Sequence, residues 1–472
     1  MAARPWNLPA WVGELFRTKS RLQMLEVSRE AGRRLRRQLT ALDLTVFGVG
    51  AIIGTGIFVL TGVVAARFAG PGVILSFVLA GVVSAMAAFV YAELAAMVPV
   101  AGSAYTYAYA ALGELAAWVI GWDLILEYTV AAGAVAIGWS GYFADVLESL
   151  GLPIPHALIA GPLEGGVINL PAVVIVAVLT ALLIRGTRES AEATHLAVAV
   201  KLLVLALFLA VGIPRIHPAR WRPFLPFGPE GVVRGAGLIF FAYIGFDAVS
   251  AAAEEVRRPQ RDLARGILGS LGLSSLLYVG VAAVLTGIVP YTELNVPSPI
   301  AAALLRVGLR WAGGLVAVGA LAGLTSVLLV NLYAQSRIFF AMARDGLLPS
   351  LFANTGRGQT PRWAVLLTGA GVAVLGALLP VRVVAELANI GTLAAFIIVS
   401  VGVIVLRRVH PEWDRPFRVP WVPWLPALTA LASFYLALQL PRLTWMRFAA
   451  WLAMGLILYA TYGRHRSRLA AG

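Results

Sequence analysis

Glycine interrupts two apolar stretches of the sequence. The first reads GVGAIIGTGIF and contains Gly48, Gly50, Gly54 and Gly56, and the second, FFAYIGFDAVS, has Gly245 at its middle. Glycine lets a helix break and lets a ligand approach the backbone closely. In membrane transporters, interrupted helices free backbone N–H and C=O groups to bind a substrate or an ion. The two interruptions therefore predict two broken helices with a binding site between them. The alternative role of these glycines is to allow ordinary close helix crossings.

A single lysine lies within the apolar run HLAVAVKLLVLALFLAVG, at Lys201. Ionisable residues inside a membrane span are costly and usually functional. Burial disfavours the charged form of an amine, so such a lysine can gain and lose a proton during a working cycle. The alternative is a side chain that snorkels to the membrane surface, because Lys201 lies only about 9 Å into its predicted span at about 1.5 Å per residue.

Three acidic residues also fall in apolar surroundings. Asp123 and Glu127 are four residues apart, so both side chains lie on one face of a helix and can face the interior. Glu127 is predicted to line a side pocket next to the bound ligand or to be a second protonatable group, and structural pairing with a neighbouring helix is the alternative. Asp247 follows Gly245 by two residues, and it is predicted to cap the amides freed by the helix break.

The elements that position these residues follow from composition. The 472-residue chain is 60% hydrophobic and 13% charged, whereas soluble domains are about half apolar and about a quarter charged. In a hydrocarbon core every backbone polar group must pair within its own segment, so helices are implied. We predict an all-α polytopic membrane protein with about 12 spans, at residues 42–66, 72–98, 114–147, 170–185, 194–213, 231–255, 265–289, 311–343, 363–379, 383–406, 423–440 and 443–462.

The basic residues indicate the orientation of these spans. The net charge of +14 is distributed among short loops and not gathered on one face, so nucleic acid is not predicted as a partner. Most Arg and Lys residues fall in segments that are inside if the N-terminus is cytoplasmic. We therefore expect a multi-pass membrane protein with both termini cytoplasmic. Tyr105, Tyr107 and Tyr109 are predicted to join an interfacial aromatic belt.

Residues 1–40 contain nine basic and three acidic residues. Their spacing predicts a cytoplasmic amphipathic segment on the lipid surface, with a solvated tail as the alternative. The sequence contains zero cysteines and five scattered histidines, so neither a disulfide nor a metal site is predicted. We expect no cofactor and no enzyme chemistry, since catalytic motifs such as HExxH and GxSxG are absent from the sequence. There is also no GxxxxGKS phosphate loop, so an ion gradient or substrate exchange must drive any transport.

Several motifs together resemble the amino acid–polyamine–organocation transporters. They are FGVGAIIGTGIF, GSAYTY, GWDLILEY, FFAYIGFDAVSAAAEE and ARDGLLP, spread in order from Phe47 to Pro349. The chain looks like bacterial members of the cationic amino acid transporter family, which implies a bacterial plasma (inner) membrane. The resemblance implies a LeuT-like fold with a 5+5 inverted repeat and broken first and sixth helices. It divides the chain into a transport core at 41–410, two peripheral helices at 411–462 and a cytoplasmic tail at 463–472.

The resemblance and the chemistry of broken helices point to the same substrate site. Freed N–H groups at the start of a half-helix can hold a carboxylate, and freed C=O groups at the end of another can hold an ammonium group. The amides are predicted to come from Ile53, Gly54, Thr55 and Gly56, and the carbonyls from Phe241, Ala242 and Ile244. The resemblance also places Asn331 beside the substrate side chain, and an interhelical hydrogen bond is the alternative there.

Family resemblance gives Lys201 a specific role. A lysine at this place resembles the arrangement in sodium-independent relatives, where the ammonium group occupies the position of a sodium ion. The sequence therefore predicts secondary transport of L-amino acids, neutral or cationic, without sodium and coupled to protons. Exchange of amino acids, or sensing without transport on the same fold, is the alternative. The expected partners are the substrate, protons and membrane lipids, and a small accessory subunit is left open.

Overall fold

The computed structural model describes residues 39–98, 103–185, 188–251, 253, 256–354 and 361–467. Nearly all of the basic segment 1–40 and the last five residues of the tail lie outside this range. The described residues are almost entirely helical, with isolated bridges pairing Leu39 with Val256 and Ile159 with Asn169. The prediction of an all-α fold is confirmed.

Helices α1 to α12 follow the predicted order of spans. Two shorter helices, Ser103–Ala111 and Pro299–Arg306, lie in connections. The spans are α1 in two halves (α1a, Ala41–Ile52, and α1b, 56–69), α2 Val73–Met97, α3 Glu114–Ser149, α4 Leu170–Arg185, α5 Arg188–Gly212, α6 in two parts (α6a, Gly228–Ile239, and α6b, Ala248–Ala251), α7 Pro259–Ile288, α8 Arg310–Arg344, α9 Arg362–Leu378, α10 Val381–Val409, α11 Trp424–Leu438 and α12 Arg442–Leu458.

Length and hydropathy allow this set to cross a membrane. Eight of the described helical segments are long and apolar enough to span a bilayer, and α1a, α4, α9 and α11 are shorter apolar helices. α3 is almost enclosed by protein, whereas α12 leaves most of its surface uncovered. Exposed leucines on outward faces, such as Leu276 at 72% exposure, fit contact with lipid chains.

The packing contacts are preserved when each of helices α1–α5 is exchanged with the helix five positions later, among α6–α10. α1 packs on α7 as α6 packs on α2, and α3 packs on α10 as α8 packs on α5. The pairs α2–α7, α3–α8 and α4–α9 map onto themselves. This pattern is expected of an inverted repeat of five helices plus five. It places α1 and α6 at equivalent positions.

Both predicted helix breaks are present. α1a ends at Ile52, Ile53 is extended (φ −77°, ψ 97°), and α1b begins with a π-helical turn at Gly56–Leu60. In α6 a 3₁₀ turn, Phe240–Tyr243, leads to an extended Ile244. Gly245 follows with φ +111°, a conformation that L side chains rarely adopt. The interruption of α6 therefore depends on glycine at this position.

A buried ionic cluster joins α2 to the end of α10. Glu93 on α2 accepts hydrogen bonds from the Arg407 guanidinium at 3.0 and 2.6 Å and from the Val419 amide at 2.6 Å. Arg415 approaches the same carboxylate at 3.5 Å and donates to the carbonyl of Leu406 at 3.1 Å. Glu93 is 1% exposed, so this cluster fixes the α10–α11 connection to α2.

The prediction of an aromatic belt at Tyr105, Tyr107 and Tyr109 is wrong. All three side chains are at most 3% exposed. Tyr105 donates to Asp345 at 2.6 Å and Tyr109 donates to Glu114 at 3.0 Å. The helix Ser103–Ala111 packs against α3 and α10, so its tyrosines contact protein on all sides. Spacing alone does not distinguish such a buried helix from a lipid-facing one.

Candidate functional site at the two helix breaks

The two interrupted helices meet at their breaks. A Cβ atom on Gly56 would lie 2.3 Å from the Ala242 Cα, and one on Gly245 would lie 3.0 Å from the Ala51 carbonyl oxygen. The first distance is too short for any side chain, and the second is a tight contact at a residue whose φ of +111° already favours glycine, so the glycines allow the backbones to approach closely. The structure thereby brings together the amide-bearing and carbonyl-bearing segments that the sequence predicted.

The amide side of the predicted site needs one correction. The Ile53 N–H donates to the Val49 carbonyl at 3.0 Å, which completes the last turn of α1a, so this amide is not free to hold a carboxylate. Gly54, Thr55 and Gly56 lie at the start of α1b, where the first N–H groups of a helix lack intrahelical acceptors. The Thr55 hydroxyl donates to the Ala134 carbonyl of α3 at 3.3 Å. The role of these three amides stays a prediction.

On the carbonyl side the structure adds a residue that sequence reasoning missed. The Tyr278 hydroxyl of α7 lies 2.7 Å from the Ala242 carbonyl oxygen and 2.9 Å from that of Ile52. Its single proton serves one of these oxygens at a time. The Phe241 carbonyl accepts from the Ile244 N–H at 3.3 Å. A carbonyl oxygen has two lone pairs, so Phe241 and Ala242 each retain capacity for an ammonium group.

Lys201 reaches the break in α1 from α5. Its side chain is fully buried, and its ammonium group donates to the Gly50 and Ile53 carbonyls, the latter at 3.0 Å. A Cβ atom on Gly323 of α8 would lie 2.9 Å from the Lys201 Cβ, so the stem of the lysine passes through space that glycine leaves open. Lys201 therefore does not snorkel to the membrane surface. It joins α5, α1 and α8 at the point where α1 is interrupted.

Residues 39–459 match the family model described as amino acid permease. This chain belongs to the amino acid permease family. The matched region includes both breaks, Lys201 and all twelve spans, so the permease is a membrane transporter and not an enzyme.

Full-length relatives extend this comparison. The permease is 47% identical over 461 residues to a methylthioribose transporter of Bacillus subtilis strain 168, covering 97% of this chain and 100% of the relative. It is 48% identical over 463 residues to a branched-chain amino acid permease of the same organism, covering 97% and 99%. A vacuolar cationic amino acid transporter of Arabidopsis thaliana is 41% identical over 389 residues, covering 81% of this chain and 61% of the relative.

Three carboxyl groups lie inside the permease near the break in α6. Asp123, Glu127 and Asp247 are at most 4% exposed. Tyr128 donates to Asp247 at 3.1 Å, and Glu127 lies close to Thr392 on α10. Both oxygens of Asp123 are without a hydrogen-bond partner among the described residues. As predicted, Asp123 and Glu127 share an inward face of α3, and they lie between α3 and α10.

Asn331 lies between two contacts on one face of α8. Four residues earlier, Val327 faces α1, where a Cβ atom added to Gly54 would lie 3.4 Å from it. Four residues later, Gln335 faces α3 and donates to the Ile125 carbonyl at 3.2 Å and to Thr129. Residues four apart lie on one face of a helix, so Asn331 belongs to the stripe that faces α1 and α3. The interhelical hydrogen bond considered for Asn331 is made by Gln335. Asn331 itself is half-buried.

Proposed function

We propose that this permease carries L-amino acids, neutral or cationic, by sodium-independent, proton-coupled symport with alternating access. The observation that carries the proposal is the bonding of the Lys201 ammonium group to the Gly50 and Ile53 carbonyls at the break in α1. Carbonyl oxygens at the end of a half-helix are typical ligands of a coupling cation in transporters. Here a covalently attached cation takes them.

The same breaks supply recognition of a zwitterion. The start of α1b offers amides with the positive end of a helix dipole, which suits a carboxylate. The turn Phe240–Tyr243 offers carbonyl oxygens, which suit an ammonium group. The close approach of Gly56 to Ala242 brings the two sets together. An amino acid can bind the amides with its carboxylate and the carbonyls with its ammonium group. Its side chain then occupies a separate pocket that determines selectivity.

Coupling follows from the chemistry of the amine. A protonated Lys201 has three donors and a full charge, and it holds the end of α1a against α5. A neutral amine holds the two carbonyls less strongly, because charge-assisted hydrogen bonds are about twice as strong as neutral ones. Loss of the proton therefore loosens α1a from α5. Binding and release of one proton can then alternate with closing and opening of the site.

A second substrate class is favoured by one comparison. The methylthioribose transporter of Bacillus subtilis is 47% identical to this chain over its whole length. Methylthioribose has neither a carboxylate nor an ammonium group, so it would leave the charge-complementary ends of both breaks unused. The zwitterion is therefore the better fit, and the thiosugar is a direct competitor in the test.

The test is uptake by the purified permease in proteoliposomes. Radiolabelled leucine, alanine, arginine and methylthioribose are supplied in turn, with an inward proton gradient, an inward sodium gradient or neither. We expect accumulation of at least one amino acid under the proton gradient alone. Accumulation under sodium alone contradicts the coupling mechanism, and accumulation of methylthioribose without any amino acid contradicts the substrate class.

We also propose that the permease lies in a bacterial plasma membrane with both termini cytoplasmic. The support is the excess of Arg and Lys in loops on the N-terminal side of the membrane, which cytoplasmic loops favour. The loops that hold Arg257, Arg258, Arg408 and Arg418 belong to that side.

A further inference from the structure

A cavity of about 380 Å³ lies between the beginning of α7 and the connection from α10 to α11. Arg261 and Arg265 line it from α7, together with Leu268, and Pro416 and Phe417 close it from the connection. Its wall is thus partly cationic and partly apolar. The cavity is separate from the two helix breaks and has no role in the transport mechanism proposed above.

The two arginines are available to a ligand. Arg261 and Arg265 are one turn apart on the same face of α7, and both are exposed. Neither guanidinium pairs with a carboxylate among the described residues. The nearest acid in sequence, Asp262, is half-buried on the next position around the helix and does not line the cavity. Guanidinium groups bind phosphate through paired, charge-assisted hydrogen bonds.

The depth of the cavity matches a lipid headgroup. α7 has 30 residues, which is about 45 Å at about 1.5 Å per residue, and the hydrocarbon core is about 30 Å thick. The first turns of α7 therefore extend beyond the hydrocarbon into the headgroup layer. Further along the helix Leu273 and Leu276 are 40% and 72% exposed. A phosphate at the arginines would continue into acyl chains along this leucine face.

The connection that closes the cavity is held firmly in place. The Phe417 ring stacks on Phe89 of α2, with ring centroids 6.2 Å apart and an interplanar angle of 14°. Nearby, Arg415 and the Val419 amide contact the buried Glu93. The cavity wall therefore has a defined shape before any ligand binds, which lowers the entropic cost of binding.

We propose that this cavity is a binding site for an anionic glycerophospholipid of the surrounding membrane. Arg261 and Arg265 bind its phosphate, Leu268 and Phe417 contact its glycerol region, and its acyl chains lie on the exposed face of α7. Basic pockets between transmembrane helices at the membrane surface bind anionic headgroups in this way. The bound lipid bridges α7 and the α10–α11 connection, so its occupancy stabilises the folded permease.

The experiment compares the wild type with two double variants that remove the same charge. Arg261→Gln/Arg265→Gln removes the cavity arginines. The control, Arg362→Gln/Arg408→Gln, removes two exposed arginines at helix ends on the same side of the membrane, neither of which lines the cavity. Phosphatidylglycerol or phosphatidylcholine is titrated into each protein in detergent micelles. Binding is read by native mass spectrometry and by the shift of the thermal unfolding midpoint.

We expect phosphatidylglycerol, but not phosphatidylcholine, to bind and stabilise the wild type and the control. We expect Arg261→Gln/Arg265→Gln to lose affinity for phosphatidylglycerol by about tenfold or more, since hydrogen bonds to charged groups are the strong class. Equal affinity in both double variants overturns the site. Equal stabilisation of the wild type by the two lipids also overturns it, and this comparison does not depend on any variant.

Two further ligands separate a lipid from a free anion. Inorganic phosphate and a six-carbon-chain phosphatidylglycerol contain the charge without long acyl chains. We expect no shift of the unfolding midpoint with phosphate and a smaller shift with the short-chain lipid than with the long-chain lipid. Stabilisation by phosphate as large as that by the long-chain lipid contradicts the lipid and assigns the arginines to a soluble anion.

Discussion

At the scale of single residues, Lys201 combines complete burial with two carbonyl partners at a helix break. Replacing it tests coupling separately from substrate recognition. We expect Lys201→Met, which keeps an unbranched chain without charge, to lose uptake driven by a proton gradient by about tenfold or more, since each charge-assisted hydrogen bond contributes about 1.5–3 kcal/mol. Substrate affinity should be retained in part, because the zwitterion is held by backbone groups. Uptake into proteoliposomes measures the loss of coupling, and thermal-shift titration in detergent measures substrate affinity.

The outcome that contradicts this role is a Lys201→Met variant that accumulates substrate under a proton gradient as well as the wild type. The coupled proton would then have to be carried elsewhere, and Glu127 on α3 is the next group to replace. Arg234→Gln is the matched control, because it removes one cation from an exposed ion pair with Glu230 near the start of α6.

Tyr278 is the second residue to test, because its hydroxyl serves carbonyls at both breaks. We expect Tyr278→Phe to lower the free energy of unfolding by about 1–3 kcal/mol, the usual cost of leaving a buried acceptor unsatisfied, and to weaken substrate binding. Tyr459→Phe is the control, since the buried Tyr459 donates to Glu114 at 3.0 Å, at the start of α3 and away from the breaks. Both variants should lose stability, and an equal loss of substrate affinity in both would argue against a special role for Tyr278.

At the residue scale, the unusual residues could be located from the sequence, but their hydrogen bonds could not. Lys201 and the glycines stand out because charge and flexibility are rare in apolar spans. The engaged amide of Ile53 could not be foreseen, because it depends on whether α1a ends one residue earlier or later. Tyr278 was not recognised, since a tyrosine in an apolar run gives no signal until its neighbours are known. Gln335 was missed for the same reason.

At the scale of elements, the crossing of the broken helices depends unequally on its glycines. A Cβ atom on Gly56 would meet the Ala242 backbone at 2.3 Å, whereas one on Gly54 would meet Val327 at an ordinary 3.4 Å. We therefore expect Gly56→Ala to separate α1b from α6, with loss of transport and a lower thermal unfolding midpoint. Gly54→Ala, its matched control, should fold as the wild type does. Measured midpoints that fall equally for both would contradict the crossing geometry.

The crossing geometry determines which property a larger side chain at Gly56 would test. At Gly56 the added atoms point at the Ala242 backbone, so the first effect is on packing. Gly54 remains the better position for testing the substrate site.

The ionic cluster at Glu93 is a second element-scale feature. We expect Glu93→Gln to lower the free energy of unfolding by about 3–5 kcal/mol, because breaking a buried ion pair leaves uncompensated charge on Arg407 and Arg415. Chemical denaturation monitored by tryptophan fluorescence measures the loss. Glu230→Gln, which breaks an exposed pair with Arg234, is the control and should change stability by less than about 1 kcal/mol. A similar small change for Glu93→Gln would contradict the structural role of the cluster.

At the scale of the whole molecule, orientation in the membrane is open to direct test. Ser467 would be the natural labelling position in the C-terminal tail, but its side chain is 2% exposed and donates to Glu114 at 2.6 Å. A cysteine there would be protected by protein on either side of the membrane. Exposed loop residues are needed, and the chain contains zero cysteines of its own.

We expect Glu412→Cys, in the α10–α11 connection, to react with a membrane-impermeant maleimide only after cells are permeabilised. Leu163, between α3 and α4, is 67% exposed, and we expect Leu163→Cys to react in intact cells. The reason is that the two loops are separated by an odd number of spans. Reaction of Glu412→Cys in intact cells would reverse the proposed orientation, and equal reaction of both would contradict the number of spans between them.

The fold of the whole molecule was predictable further than its site. Twelve spans follow from apolar length, and the breaks in α1 and α6 follow from glycine in GVGAIIGTGIF and FFAYIGFDAVS. The burial of Tyr105, Tyr107 and Tyr109 was not predictable, because a helix covered by protein and one covered by lipid have similar composition. Their environment depends on contacts with α3 and α10, which are distant in sequence.

The open space at Gly323 has a consequence for how such permeases diverge. The Lys201 stem occupies the room that a side chain at position 323 would take, so the two positions cannot vary independently. A lineage that gained any larger residue at 323 first would exclude the lysine, and one that lost the lysine first would leave an unfilled gap lined by the Gly50 and Ile53 carbonyls. We therefore expect residues 201 and 323 to co-vary among homologues, with lysine at 201 accompanied by glycine at 323.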